Sequence, residues 1–357
     1  MAPQFKTSIF KKIGRPVVFS FAVFIVVFIL FTSSSSANAP RVDRSLTRTT
    51  QEQEAEALLK WKDSLDNQNH SFLSSWKLLP QSSTPPLTNS SKNFGRKGSN
   101  STCEWVGITC DEFGSVIHIN LNGSSLRGTL QSFSFASFPN LLSFVLYNNS
   151  LYGSIPSHIG NLSRLTNLDL HMNLLSGYIP SEIGLLTSLR YLYLDWNYLN
   201  GSIPQEIGMF NSLQTLRASN NSLSGSIPAS VGNLSKLLIL DLRNNRISGS
   251  IPYEIGKLKS LTELCLLKNH LTGSIPPSIG NMSELIHLYL HLNNISGSIP
   301  HEIGHLKSLR GLSLMSNYLS GSIPASIGEL KSLRDLSLFN NNIVGSIPLE
   351  MNNLTDL

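Results

Sequence analysis

Residues 189–204 read LRYLYLDWNYLNGSIP, and this pattern returns every 24 residues along most of the chain. An asparagine stands four residues before the glycine of each G-x-I-P, and L-x-x-L-x-L or a close variant precedes that asparagine. Repetition at a fixed period of this length predicts a solenoid, in which each repeat forms one coil stacked on the next. The glycines of the pattern are Gly153, Gly177, Gly201, Gly225, Gly249, Gly273, Gly297, Gly321 and Gly345.

Each part of the repeat has a predicted place in its coil. The alternating L-x-L predicts a short strand with inward leucines. The asparagine amide can donate and accept hydrogen bonds, so it can satisfy backbone groups in the turn. Glycine permits a turn closed to other residues, Ile-Pro predicts an extended segment, and the following I-G-x-L-x-x-L predicts a short helical turn on the outer face. Residues 116–357 hold about ten such coils, numbered here from the strand near Val116.

Residues 40–115 precede the regular coils and are predicted to cap the solenoid. Within them, residues 52–76 space their apolar side chains as a helix does, which would close the exposed end of the core. Residues 77–102 are rich in Ser, Pro and Asn and predict a surface loop. Cys103 and Cys110 are separated by six residues, and we expect them to form a disulfide in an oxidising compartment.

The first 39 residues carry most of the positive charge. The chain has 357 residues and a net charge of +5, but the residues after position 39 hold 23 basic against 22 acidic side chains. Nucleic-acid binding is therefore not indicated. A basic start, an apolar run of 15 residues from Val17 to Phe31 and a small-residue stretch predict a secretory signal peptide over 1–39. The alternative is a retained membrane anchor, but the run is shorter than the ~18–20 residues of a membrane span.

The repeat, together with EAEALLKWKDSL at 54–65 and CEWVGITC at 103–110, resembles the extracellular region of plant leucine-rich-repeat receptor-like kinases. The segment GSIPxxIGNLxxL is similar to the repeats of the subgroup named for interacting with the male discoverer receptor. The resemblance covers residues 52–357. It implies a right-handed solenoid with a concave parallel β-sheet, outer 3-10 turns and a helical N-terminal cap. It also implies binding of a secreted peptide or protein at the plasma membrane, with a shorter repeat ectodomain as co-receptor.

Receptors of this family continue through further repeats, a C-terminal cap, a transmembrane helix and a Ser/Thr kinase domain. Leu357 falls on the first leucine of an eleventh coil, so the resemblance implies that this chain is part of a longer protein and lacks the C-terminal cap and the catalytic domain. The alternative is a secreted inhibitor of a cell-wall-degrading enzyme, because polygalacturonase inhibitors are similar in repeat type, count and length. The sequence shows no nucleophile–base pair and no phosphate-binding loop that would indicate an enzyme.

The positions between and beside the strand leucines are free to vary, and they predict the binding surface. In coils four to eight they are rich in aromatic residues and arginine, which is typical of interface hot spots. Cys265 lies in the same register and is expected to point outward. The predicted ligand-binding residues are Tyr191, Tyr193, Asp195, Trp196, Arg217, Asp241, Arg243, Glu263, His287, Tyr289 and His291.

Asn-x-Ser/Thr sequons occur throughout the chain and predict glycosylation of a secreted protein, with about half of them occupied. At Asn220, near the predicted ligand surface, we expect no sugar or one that projects away. The sequon asparagines are Asn69, Asn89, Asn100, Asn122, Asn148, Asn161, Asn200, Asn220, Asn233, Asn281, Asn294 and Asn353.

Two histidine patterns could suggest a metal site. Residues 301–305 read HEIGH and match the H-E-x-x-H zinc motif, but three of these letters belong to the repeat, and a short turn would not place both histidines on one helix face. His287 and His291 lie four residues apart on one strand, ~13 Å from each other, which is too far to share one ion. We therefore expect no metal and no cofactor.

Overall fold

The computed structural model describes residues 44–66, 71–78 and 101–357. The predicted signal peptide, most of the Ser/Pro/Asn-rich loop and the sequons at Asn69, Asn89 and Asn100 lie outside the described residues. Within these ranges one α-helix, α1 (Arg44–Asp63), precedes 21 short strands. In chain order the strands are β1 (Ile108–Cys110), β2 (Val116–Asn120), β3 (Arg127–Gly128), β4 (Ser143–Val145), β5 (Ser150–Gly153), β6 (Asn167–Asp169), β7 (Leu174–Tyr178), β8 (Tyr191–Tyr193), β9 (Tyr198–Ser202), β10 (Thr215–Arg217), β11 (Ser222–Ser224), β12 (Ile239–Asp241), β13 (Ser248–Ser250), β14 (Glu263–Cys265), β15 (His270–Thr272), β16 (His287–Tyr289), β17 (Ser296–Gly297), β18 (Gly311–Ser313), β19 (Tyr318–Gly321), β20 (Asp335–Ser337) and β21 (Asn342–Ile343).

The main sheet takes one strand from every coil. Its order is β1-β2-β4-β6-β8-β10-β12-β14-β16-β18-β20, and all pairs from β2 onward are parallel. Equivalent residues of successive coils pair directly, as Leu192 does with Leu216 and Leu216 with Leu240. The sequence prediction of a solenoid with a parallel sheet is confirmed.

The predicted outer turns are 3-10 helices, one after each Ile-Pro. They follow the proline, and each stacks on the turn of the next coil. These turns cover Ser157–Asn161, Ser181–Leu185, Gln205–Met209, Ala229–Asn233, Tyr253–Lys257, Pro277–Asn281, His301–His305, Ala325–Glu329 and Leu349–Asn353; two shorter ones cover Thr102–Glu104 and Phe135–Ser137.

The repeat glycines serve two separate purposes. Gly177 adopts φ +77°, a left-handed conformation that favours glycine over residues with a side chain. Gly184 lies where the outer turns stack, and a Cβ there would come within 2.7 Å of the Glu206 carbonyl oxygen. One glycine therefore turns the chain, and the other lets two coils approach.

The repeat asparagines connect neighbouring coils as predicted. The Nδ2 group of Asn173 donates to the carbonyls of Leu146 and Leu170, and its Oδ1 accepts from the backbone N–H of Leu151. Asn245 repeats this arrangement three coils later, with the carbonyls of Ala218 and Leu242. Because each amide satisfies backbone groups of two coils in a buried turn, this ladder keeps the coils in register.

The N-terminal cap closes the end of the leucine core. Trp61 and Trp76 are fully buried, and their indole nitrogens donate to the carbonyls of Thr129 and Val106 at 2.9 Å. The predicted Cys103–Cys110 disulfide is present. The sequence analysis missed the strand β1, which pairs antiparallel with β2 and places Ile108 beside Ile119. This strand covers the first edge of the parallel sheet, which would otherwise expose unpaired backbone groups.

Candidate functional site

The main sheet has one face turned away from the leucine core, and we call it the open face. Three columns of side chains cross it from coil to coil, and the first of them precedes the first strand leucine and includes Tyr191, Glu263 and His287. The central column lies between the two strand leucines and comprises Val145, Asp169, Tyr193, Arg217, Asp241, Cys265, Tyr289, Ser313 and Ser337. The rim column follows the second leucine and comprises Tyr147, His171, Asp195, Ser219, Arg243, Leu267, His291, Met315 and Phe339. Parallel pairing in register places neighbours of the central column side by side.

Charged side chains concentrate in coils three to six of the open face. His171 forms an ion pair with Asp169, with Nδ1 and Oδ1 2.5 Å apart, and its ring stacks on Tyr147. Three coils further, Asp241 and Arg243 form a second pair, with Oδ2 and Nε 3.4 Å apart. We call the set Asp169, His171, Asp195, Arg217, Asp241 and Arg243 the charged patch.

Burial changes the acid–base behaviour of this patch. It raises the pKa of Asp241 to about 6, although Arg243 partly offsets the effect. Burial also raises the pKa of Asp195, against the opposing charge of His171. For His171, burial lowers the pKa, but the hydrogen bond and charge of Asp169 outweigh it, so the pKa lies above its usual value. The patch thus holds partly desolvated charges, which interact with a ligand more strongly than charges in water.

Three polar atoms of the open face lack a hydrogen-bond partner. Among the residues that the structure describes, the buried side-chain atoms without a partner are Asp195 Oδ1, Arg217 Nε and His291 Nδ1. Buried polar groups in native proteins are almost always hydrogen-bonded, and each exception needs an explanation. All three belong to the central and rim columns of the open face, and two of them belong to the charged patch. Each of these atoms is itself almost fully buried, so an incoming polar group would pair with it only after the surrounding side chains move.

Other predicted site residues lie beside the patch or further along. Tyr191 and Tyr193 have parallel rings 6.5 Å apart, and the guanidinium of Arg190 lies 5.7 Å from the Tyr191 ring centre. The hydroxyl of Tyr191 lies 3.1 Å from Gln214 Oε1 and donates to it. In coil eight, Tyr289 contacts both histidines in a chain of rings, and the ring centres of Tyr289 and His287 are 5.6 Å apart.

Two central-column residues differ from their sequence-based description. Cys265 was expected to point outward, but it is 1% exposed, because Asp241 and Tyr289 flank it in register. Burial and the nearby acidic groups raise the pKa of its thiol. Asp241, a predicted ligand-binding residue, is only 3% exposed. The close spacing of parallel strands lets larger neighbours cover a short side chain even on the open face.

Trp196 is separated from the other predicted residues. It follows β8 and lines a groove with Met172, Leu174 and Tyr198, at the edge where the strands of the main sheet end. The sequence analysis also left Asp169 out of the site, although it occupies the same repeat position as Tyr193 and Asp241. The residue between the two strand leucines is a predicted site residue in coils four to six, and the same position in coil three is Asp169.

The described residues contain neither a cluster of metal ligands nor a membrane-spanning helix. Within residues 44–66, 71–78 and 101–357, no three His, Cys, Asp or Glu side chains gather closely enough to hold a metal ion. Over the same ranges, no helix combines the length and apolar character that crossing a bilayer requires.

Family comparisons match the repeats and the cap separately. The leucine-rich repeat region family matches residues 168–288, and the leucine-rich repeat family matches 284–306, 308–330 and 332–354. The leucine-rich repeat N-terminal domain matches residues 51–86 and 96–111. The chain is a leucine-rich-repeat protein.

Plant receptor kinases are among the relatives of this leucine-rich-repeat chain. It is 41% identical over 143 residues to a probable leucine-rich repeat receptor-like protein kinase of Arabidopsis thaliana, a match that covers 40% of this chain and 10% of that protein. It is 43% identical over 115 residues to MDIS1-interacting receptor like kinase 2 of the same plant, covering 32% and 9%. The matched segments thus span about a tenth of these curated relatives.

Solved plant ectodomains share the leucine-rich-repeat fold. The ectodomain of the Arabidopsis thaliana receptor kinase GASSHO1/SCHENGEN3, in complex with CASPARIAN STRIP INTEGRITY FACTOR 2, superposes with a TM-score of 0.76 at 34% identity, covering 86% of this chain and 34% of that one. The Arabidopsis receptor kinase HAESA, in complex with the peptide hormone IDA and the co-receptor SERK1, gives 0.66 at 31% identity, covering 85% and 52%.

Proposed function

We propose that this chain is the extracellular ligand-recognition region of a plant receptor-like kinase, and that a secreted peptide or protein binds across its open face. The observation that carries the proposal is the set of unpartnered atoms on that face, Asp195 Oδ1, Arg217 Nε and His291 Nδ1. The structures of GASSHO1/SCHENGEN3 with CASPARIAN STRIP INTEGRITY FACTOR 2 and of HAESA with the peptide hormone IDA support it, because both receptors share the fold of this chain.

The charged patch favours a ligand that carries both signs of charge. A carboxylate can accept from Arg217, and an ammonium or guanidinium group can donate to Asp195. Such opposite contacts would fix the orientation and register of an extended peptide. Tyr191 and Tyr193 on the neighbouring coil offer large contact area with few rotatable bonds, as hot-spot residues do.

The same proposal places the protein at the outer side of the plasma membrane. Residues 1–39 act as the signal peptide, residues 40–115 form the cap, and residues 116–357 form the repeats that present the ligand site. Signalling is assigned to a kinase domain outside this chain, so the chain itself has no catalytic role. A co-receptor with a shorter ectodomain completes the complex, by analogy with the HAESA complex with SERK1.

A screen of synthetic peptides against the secreted chain tests this function. Peptides selected from a random library should carry both an acidic and a basic group, and Arg217→Gln should weaken the best binder by about ten- to thirty-fold in calorimetric titration. The control is Lys236→Gln, an exposed residue outside the open face, which should leave affinity unchanged. Binders that retain full affinity for Arg217→Gln would move the ligand site off the charged patch.

A further inference from the structure

A groove at the edge of the main sheet has no role in the proposed peptide site. It is open to solvent, has a volume of about 600 Å³, and runs past the ends of β6, β8 and β10. Four large apolar side chains line it in exposed positions, namely Met172, Leu174, Trp196 and Tyr198. Trp196 is 59% exposed and Tyr198 is 62% exposed. A cluster of exposed apolar side chains on one surface is typical of a site that another group covers.

Trp196 is exposed at a position whose backbone conformation does not favour a bulky side chain. Trp196 adopts φ +55°, a left-handed conformation that is unfavourable for a bulky residue. The equivalent position adopts the same conformation in the other coils, where it is asparagine, which tolerates it better, at Asn148, Asn220, Asn244 and Asn340, but Met172, Lys268, Leu292 or Ser316 elsewhere. Neither burial nor backbone preference explains a tryptophan at this place.

Asn148 stands at one end of this groove and belongs to a sequon, Asn148-Asn149-Ser150. Its side chain is exposed. Backbone bonds stack Asn148, Met172 and Trp196 in successive coils, because their N–H groups donate to the carbonyls of His171, Asp195 and Ser219. Two coil steps of ~4.8 Å separate Asn148 from Trp196 by about 10 Å, a distance that two linked sugar rings can span.

We propose that Asn148 carries an N-linked oligosaccharide whose first sugars lie in the groove against Met172 and Trp196. Nδ2 of Asn148 loses a proton and bonds to the anomeric carbon, while the bond from that carbon to the diphosphate of a lipid-linked sugar donor breaks and the diphosphate leaves with the electron pair. The apolar faces of the sugars then pack on the indole, and their hydroxyls meet the amides of Asn220 and Asn244.

The second sequon of the groove is less suited to carry this sugar. Nδ2 of Asn220 donates to Ser219 Oγ at 3.1 Å, and its Oδ1 accepts from Nδ2 of Asn244 at 2.6 Å. Attachment there would break these contacts and start from a half-buried side chain. The sugar therefore enters from Asn148 and ends near Asn220, which stays unmodified.

Acrylamide quenching of tryptophan fluorescence measures this cover directly, because Trp196 is the exposed tryptophan, whereas Trp61, Trp76 and Trp105 are at most 5% exposed. For this experiment the full chain is expressed in plant cells and collected from the medium, and peptide mass spectrometry determines which sequons carry sugar. Asn148→Gln and Ser150→Ala each remove the sequon, and the second keeps the asparagine that suits the local backbone. Both should raise the quenching constant of Trp196 about two-fold, since the uncovered indole is more than half exposed.

Two controls keep the outcomes distinct. Asn161→Gln removes a sequon on an outer turn and should leave quenching unchanged, and Trp196→Phe should abolish the quenchable signal. The proposal rests on secretion of the chain. A sugar at Asn161 with none at Asn148 would overturn the proposal and leave secretion intact, whereas no sugar at any sequon would overturn both. A modified Asn148 with quenching equal in all sequon variants would also overturn it.

The proposal also makes a claim about the peptide site. The sequence analysis predicts that Trp196 contacts the ligand, whereas a sugar in the groove would cover that side chain. In the glycosylated chain, Trp196→Ala should therefore leave the affinity for a selected library peptide unchanged, while Arg217→Gln weakens it. Equal losses in both variants would return Trp196 to the ligand surface and contradict the glycan assignment.

Discussion

Coils three to six and coils nine to ten present the same repeat on the open face with very different chemistry. In the first region the central column holds Asp169, Tyr193, Arg217 and Asp241, whereas in the second it holds Ser313 and Ser337. The strand leucines behind both regions pair in the same register, as Leu216 does with Leu240 and Leu288 with Leu312. The comparison shows that the repeat determines the scaffold, and that the variable columns determine where a ligand can bind.

Replacement of a strand leucine should have the largest effect and should not distinguish the two regions. Leu240→Ala and Leu312→Ala each empty a fully buried position, so each should lower the free energy of unfolding by about 2–5 kcal/mol. Urea denaturation followed by circular dichroism measures both. A loss confined to Leu240→Ala would mean that the later coils contribute little to the cooperative unit, which repeat proteins allow.

The pH dependence of stability should reveal the buried carboxyl of the charged patch. Because the folded-state pKa of Asp241 is about 6 and the ordinary value is 3.8, the folded protein binds this proton more tightly than the unfolded chain. Its contribution to stability is therefore fully present below pH ~4 and is lost as the pH rises through 6, a change of about 2–3 kcal/mol. Asp241→Asn should remove this loss.

The matched control for that measurement lies in the later region. Ser337 lies in the central column on β20 and carries no ionisable group, so Ser337→Ala should leave the pH profile of unfolding close to that of the unaltered protein. Urea titrations from pH 4 to pH 7 compare the three proteins. If the pH profile of unfolding of Asp241→Asn parallels that of the unaltered protein, ionisation of Asp241 does not lower the stability of the fold. Burial on this face would then be weaker than the structure indicates.

The scaffold could be predicted from sequence to a far greater extent than the site. The Leu, Asn and Gly positions recur every 24 residues, so each coil predicts the next, and the asparagine ladder and the outer turns follow the predicted pattern. The site depends on how side chains of adjacent coils cover each other, which no single repeat encodes. Cys265 and Asp241 occupy open-face positions by register, but larger neighbours bury them.

A smaller difference between the two regions should appear in ligand affinity. Asp195 presents an unpartnered oxygen, so Asp195→Asn should weaken a selected cationic library peptide by about 1–2 kcal/mol, because the ligand's positive group loses its charged acceptor. Ser337→Ala alters the central column in coil ten and should leave the affinity unchanged. Calorimetric titration compares them, and equal losses would show that the peptide extends along the whole open face.

The smallest expected effect on stability belongs to the free cysteine at the border between the two regions. Cys265 is buried, and the raised pKa of its thiol reduces the thiolate that reacts with reagents. Ser313→Cys places a thiol in the same column, two coils later, at a half-buried position. Cys265→Ala removes the original thiol and should change stability by less than about 1 kcal/mol. In that background, the thiol of Ser313→Cys should react with a water-soluble disulfide reagent at pH 7.5 at least about ten-fold faster than Cys265 does in the unaltered protein. Equal rates would mean that the central column opens to solvent at coil seven, and the burial that raises the pKa of Asp241 would then be lost as well.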